Sequence, residues 1–146
     1  GLQYELVSEN PITKEKEECI KMHVPKGASL NEGDVRSSIR KSTYEIERYF
    51  NIKDINYYIE SWLLSPEVLA LLDNNSNILK FSKLFSIKSM GECTRDILDF
   101  VFNDVYIKDY NLLVCKTSLQ AKLKSLLINK KEIHIGIGKL KQLDQI

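Results

Sequence analysis

Glu18-Cys19-Ile20-Lys21-Met22-His23-Val24-Pro25-Lys26-Gly27-Ala28-Ser29-Leu30-Asn31-Glu32 is the stretch on which the fold turns. Ile20, Met22 and Val24 alternate with Lys21 and His23, the two-residue period of a strand with one buried face. Pro25-Lys26-Gly27-Ala28 breaks that period. Ser29-Leu30-Asn31-Glu32 then has the Ser-x-x-Glu spacing of a capping box, in which two side chains satisfy each other's unpaired backbone amides. The spacing predicts a helix from Ser29 to about Phe50. Its apolar stripe is Val35, Ile39, Ile46, Tyr49 and Phe50, with Arg36, Arg40, Lys41 and Glu47 facing away.

Upstream, Leu2, Tyr4 and Leu6 alternate with Gln3 and Glu5, so a first strand is expected to pair with the second as a hairpin. Asn10-Pro11 and the charged run Lys14 to Glu18 suit its solvated connection. Downstream, Ile55 to Leu64 is rich in β-branched and aromatic residues and reads as a central strand buried on both faces. Ser65-Pro66 supplies an N-cap and a first-turn proline for a short helix to about Leu72, and Asp73 to Ser76 is a turn cluster. A helical turn from Asn77 leads into a strand around Phe85 to Lys88. Ile97, Leu98, Val101 and Phe102 form one helical face, and Leu112 to Cys115 reads as a short strand. Thr117-Ser118-Leu119-Gln120 repeats the capping-box spacing before Leu119, Leu123, Leu126 and Leu127, and Ile133 to Leu140 is the last strand. The predicted class is α/β, an α+β mixed sheet: an N-terminal strand hairpin followed by β-α-β units, with helices on both faces.

A chain of 146 residues with 43% hydrophobic content suits one domain over 1–146. Its 21 basic and 20 acidic residues leave a net charge of +1, which argues against a general electrostatic role on nucleic acid or an anionic membrane. No apolar run approaches the ~20 residues that span a bilayer, and the first residues lack a signal-peptide pattern. A cytoplasmic location is expected. Cys19, Cys93 and Cys115 are odd in number and lack metal-site spacing, so they read as buried, reduced thiols, and no metal is expected.

The unit of strand, glycine turn and helix places a helix N-terminus beside the carboxyl end of a strand, where unpaired amides attract anions, phosphates above all. Lys26, Gly27, Ala28 and Ser29 are the candidate anion-binding residues. The plain alternative is an ordinary capped helix with Gly27 chosen for its backbone angles. If Glu18–Val24 and Ile55–Leu64 are parallel neighbours, His23, Tyr58 and Glu60 point toward one region near that mouth, where an imidazole or carboxylate could take a proton from an amine. The competing reading makes them structural polar residues. Gly136-Ile137-Gly138 lies in a strand with no helix after it, so it fails as a dinucleotide fingerprint and reads as a bulge or a close backbone approach. Lys116, Lys122, Lys124, Lys130 and Lys131 lack interleaved aromatics and read as a solvated face.

Taken together, Gly1-Leu2-Gln3-Tyr4-Glu5, His23-Val24-Pro25-Lys26-Gly27-Ala28-Ser29-Leu30, Ser61-Trp62-Leu63-Leu64-Ser65-Pro66, Ser76 to Phe81, Thr117-Ser118-Leu119 and Gly136-Ile137-Gly138 resemble the C-terminal GNAT-like domain of a bacterial acyltransferase family. The resemblance implies two central parallel strands that splay apart, with acyl-CoA (acetyl-CoA in the simplest case) in the wedge. It also implies a pyrophosphate at Lys26, Gly27, Ala28 and Ser29. Such enzymes usually carry an Arg/Gln-x-x-Gly-x-Gly/Ala loop, where this chain has Pro25 to Leu30, and a tyrosine after the next strand, which Ser65 to Leu72 lacks. Family members carry an N-terminal, mostly helical portion, so this chain is expected to be the C-terminal part of a longer protein. The first functional expectation is acyl-CoA-dependent N-acyl transfer to an unknown amine, with Glu60 or His23 as base. The second is a non-catalytic GNAT-like module that binds a ligand or protein. A nucleic-acid module built on the late lysines ranks third.

Overall fold

A computed structural model describes residues 1–142. Strand β1 (Gln3–Glu9) pairs antiparallel with β2 (Lys16–His23), opposing Gln3 to His23 and Val7 to Cys19. Asn10 closes this hairpin. Its Oδ1 accepts from the amides of Ile12 (2.8 Å) and Thr13 (3.1 Å), the side chain standing in for a backbone turn. The charged run therefore divides, because Lys16, Glu17 and Glu18 belong to β2 and only the residues before them form the connection.

Helix α1 (Glu32–Phe50) follows β2 and leads to β3 (Tyr57–Ser61), which pairs parallel with β2 as Ile20↔Tyr57, Lys21↔Tyr58 and Met22↔Ile59. A 3₁₀ turn (Trp62–Leu64) then precedes α2 (Pro66–Leu69), α3 (Asn77–Ser82), β4 (Phe85–Glu92), α4 (Thr94–Phe100), a second 3₁₀ turn (Tyr110–Leu112), α5 (Ser118–Ile128) and β5 (His134–Leu140). The five strands are ordered β1-β2-β3-β5-β4. Since β5 runs antiparallel to both its neighbours, the sheet is mixed.

Ile20, Met22, Tyr57 and Ile59 share one sheet face and pack with Val35, Ile39 and Ile46 of α1 and Phe81 of α3. Each such aliphatic side chain contributes about 1.5–3 kcal/mol on burial. Ile135 lies on the opposite face by alternation and packs with Ile97, Leu98, Leu123 and Leu127 of α4 and α5. Helices thus cover both faces. Gly136 and Gly138 stand opposite Ser61 and Ile59, where the backbone of Leu64 crosses the sheet. A Cβ on Gly136 would lie 2.2 Å from Leu64 O, so the close approach expected there is real.

Several expected boundaries move. Ser29 does not cap α1: its Oγ donates to Asp34 Oδ2 (2.6 Å), and Asn31 caps the helix by accepting from Gly33 N (3.0 Å). Tyr49 and Phe50, assigned to the buried stripe, are 72% and 59% exposed, and they line an open groove with Leu2, Tyr4 and Leu6. The apolar run Ile55–Leu64 is a strand only to Ser61, whose Oγ accepts from Leu63 N (3.1 Å) and turns the chain. The short helix after Ser65 ends at Leu69. Leu112–Cys115 is not a strand, since a 3₁₀ turn ends at Leu112 and no ladder forms. Cys115 is exposed, unlike Cys19 and Cys93. Lys122 and Lys124 are not purely solvated, because they donate to the carbonyls of Leu71 (2.9 Å) and Leu113 (2.8 Å). No helix among the described residues is long and apolar enough to cross a membrane.

Candidate functional site

The ladder between β2 and β3 stops at Met22↔Ile59 although both strands run on, to His23 and Ser61. The parallel pair parts there. In the opening lies a cavity of about 210 Å³ that takes in His23 and Val24 from β2 and its exit, Glu60, Ser61 and Trp62 from β3 and its turn, and Phe100 of α4. That is below the ~300 Å³ at which a pocket usually encloses a small molecule, and it matches the reacting end of a ligand rather than the whole of one. Trp62 and Phe100 form its apolar wall, their rings 5.6 Å apart.

Alternation puts Lys21, His23, Tyr58 and Glu60 on one sheet face. His23 and Glu60 both reach the cavity. His23 Nε2 lies 3.1 Å from Glu5 Oε2, and Lys21 Nζ lies 3.7 Å from Glu60 Oε1. Tyr58 is not brought together with them. It is 2% exposed, one alternation further from the opening, and Asn10 Nδ2 donates to its hydroxyl (3.0 Å). Burial first, then the neighbouring Glu17 carboxylate, pushes its phenol up to about 12. Such a group keeps its proton.

Beside the opening, Pro25 to Ala28 make a tight turn in which Ala28 N donates to Pro25 O (3.1 Å) and Gly27 takes φ +78°. Gly27 has open space around a would-be Cβ, so the positive φ is what calls for glycine here. The loop's polar groups are partly spoken for. Ala28 N closes the turn, Ser29 Oγ is on Asp34, and Lys26 Nζ bonds Asp99 O (3.0 Å) and lies 5.8 Å from the Phe100 ring centre. The amides of Gly27 and Ser29 have no acceptor among the described residues. Glu32 and Asp34 already complement the first turn of α1. Arg36 faces Glu32 (2.7 Å), and, with Lys80 of α3 and Lys83 just after that helix, it lines a second cavity of about 350 Å³ next to Leu30.

Apart from the opening, Glu67 at the start of α2 accepts from His134 Nδ1 (2.6 Å), His134 N (3.1 Å) and Ser65 Oγ (3.0 Å). Burial alone would raise this carboxyl, but those hydrogen bonds outweigh it and hold it at about 2. Glu67 in turn raises the His134 imidazole. Cys93 is pushed up to about 12, by burial and then by Asp96, Glu92 and Glu67, and burial raises Cys19 as well, so neither is a ready nucleophile. Among the described residues, no cluster of three or more His, Cys, Asp or Glu is arranged to hold a metal ion.

Glu5, Lys21, Phe100, Arg36, Lys80 and Lys83 escaped sequence reasoning. Apart from Arg36, whose Glu32 partner lies one turn away on α1, their neighbours lie across strands or on distant elements, and only the β1–β2 register could have pointed to Glu5.

A mixed sheet whose central parallel strands part beside a glycine turn and a helix start is the arrangement that the resemblance to GNAT-like domains implied. The sequence model of the GNAT-like C-terminal domain matches residues 1–140, and the chain belongs to that family. The fold is similar to an acyltransferase in complex with decanoyl-CoA, at 22% identity and a TM-score of 0.80 over 95% of this chain and 43% of that one. It is also similar to an acyltransferase in complex with decanoyl-CoA and teicoplanin (21%, TM-score 0.79, 96% and 44%), and to an acyltransferase mutant in complex with octanoyl-CoA (21%, 0.79, 96% and 44%). The chain spans less than half the length of these structures. No curated protein matches it significantly in sequence.

Proposed function

We propose that this chain is the acyl-CoA-binding, proton-accepting domain of a cytoplasmic N-acyltransferase, and that it works with an N-terminal helical domain of the same protein. The observation that carries the proposal is the parting of β2 and β3 after Met22↔Ile59, with His23 and Glu60 at the opening. The thioester enters between the strands, and the amides of Gly27 and Ser29, with Lys26 swung off Asp99, meet the pyrophosphate. That ion pair is 51% and 63% exposed, so releasing it costs little. Arg36, Lys80 and Lys83 supply positive charge for the remaining phosphate.

An amine nitrogen attacks the thioester carbonyl, and a backbone amide freed by the parting polarises that carbonyl. The amine's proton passes to His23. Carbon–sulfur cleavage then releases the thiolate, and the amide product leaves. We prefer His23 to Glu60 because Lys21 already faces the Glu60 carboxylate. Octanoyl- and decanoyl-CoA in the similar structures support a medium-chain acyl-CoA donor in place of acetyl-CoA. The acceptor is proposed as a primary amine, in keeping with an acyltransferase that holds teicoplanin.

The second reading, a GNAT-like binding module without turnover, draws on the internal engagement of Lys26, Ala28 and Ser29. Decanoyl-CoA should raise the melting temperature by an amount that grows with its concentration over Kd, and His23→Ala should leave that rise intact while abolishing transfer. A rise that survives Lys26→Glu unchanged would remove the loop from the site. Binding without transfer to any amine by the complete protein would favour the module.

A further inference from the structure

We infer that Glu5 is the positioning residue for His23, fixing the ring so that Nδ1 is the atom that takes the amine's proton. This rests on His23 being the base. In the hairpin register Glu5 stands opposite Lys21, and Gln3 stands opposite His23, so Glu5 reaches His23 diagonally on the same face. The ammonium that could compete for Glu5 is drawn away, since Lys21 Nζ lies 3.7 Å from Glu60 on the other neighbouring strand.

His23 Nε2 is 3.1 Å from Glu5 Oε2. An ionised carboxylate can only accept, so Nε2 must carry the hydrogen in the neutral ring. Nδ1 then holds the free lone pair, and it has no hydrogen-bond partner among the described residues. When Nδ1 takes a proton, the positive charge spreads over a ring already facing a carboxylate. The pair forms only if the outer strand is in register, so β1 has a part in the chemistry beyond covering the sheet.

The test combines ring ¹⁵N chemical shifts with kinetics of the complete protein, using decanoyl-CoA and a panel of primary amines. In the wild type the neutral His23 ring should be the Nε2–H tautomer, and Glu5→Ala should convert it to a mixture. Glu5→Gln should lower kcat about fivefold, the most that one pair 43% and 60% exposed supplies, with KM for decanoyl-CoA unchanged. If Glu5→Ala kept the tautomer and kept kcat within about twofold while His23→Ala was inactive, the positioning role would be overturned and His23 would stand as base. A fully active His23→Ala would overturn the base itself. Should no amine in the panel react, the tautomer alone decides.

Discussion

Replacing Gly136 with alanine should be among the most damaging single-methyl changes in the sheet. The added carbon would sit 2.2 Å from Leu64 O, 2.5 Å from Leu64 C and 2.6 Å from Leu64 Cβ. Non-bonded carbons rest about 3.5–4.0 Å apart, so the Trp62–Leu64 turn must retreat by about 1 Å. The nearest atoms are backbone, and no side-chain rotation relieves them. Overpacking typically costs about 1–3 kcal/mol. Here relief also strains the Ser61↔Gly136 pair, which brings the expected loss to about 3–4 kcal/mol, a large part of a domain's ~5–15. The melting temperature should fall by roughly 10 °C. At Gly138 the contacts are Leu64 Cδ1 and Phe85 Cβ, both 2.8 Å away, and the mobile leucine tip makes Gly138→Ala cheaper, at about 1–2 kcal/mol. Urea unfolding followed by far-ultraviolet circular dichroism gives both values if the m-value is unchanged. A loss below about 1 kcal/mol at Gly136, or a greater loss at Gly138, would refute the close-approach reasoning.

The Glu67–His134 pair should give stability a pH dependence of known sign. The carboxyl is depressed from 4.5 to about 2, so its contribution is present above 4.5 and is lost as pH falls toward 2. The imidazole is raised from 6.5, so its contribution is full below 6.5 and is lost as pH rises through the folded-state value. Stability from this pair therefore peaks between about pH 4.5 and 6.5, and Glu67→Gln should flatten the profile measured by thermal melts. Tyr58→Phe should leave transfer kinetics unchanged yet cost about 1–2 kcal/mol, because Asn10 Nδ2 loses its buried acceptor. Thr117→Ala should cost about 1 kcal/mol in urea unfolding by removing the side chain that accepts from Gln120 N at the start of α5.

What the sequence made legible was local. The alternations of Tyr4 and of Ile20 with Met22 specified the hairpin, and Thr117 with Gln120 specified the start of α5 as a capping box in full. Gly136 and Gly138 announced a close approach without naming Leu64 as what approaches. Errors arose where two local solutions compete. Ser29 and Asn31 can each cap a helix, and Asp34 drew Ser29 away. An apolar run such as Tyr57–Leu64 has no period to show where a strand becomes a buried turn, and the Ser61 hydroxyl made that choice. In the candidate site, alternation alone placed His23 beside Glu60 at the opening. Tyr58 was misjudged because Asn10 and Glu17, which enclose it, come from the hairpin end and not from its own strand. Lys26 meeting Asp99, and Glu5 meeting His23, are long-range pairs with no local signal.

Trp62 is the single tryptophan of the chain and lines the opening between β2 and β3, so its indole gives one assignable signal at that site. Titrating the protein with decanoyl-CoA while following the indole Nε1–H resonance should shift or broaden that one signal saturably, and CoA in excess should reverse it. Decanoyl-CoA that binds and leaves the Trp62 resonance untouched would contradict an acyl-CoA site in the strand opening.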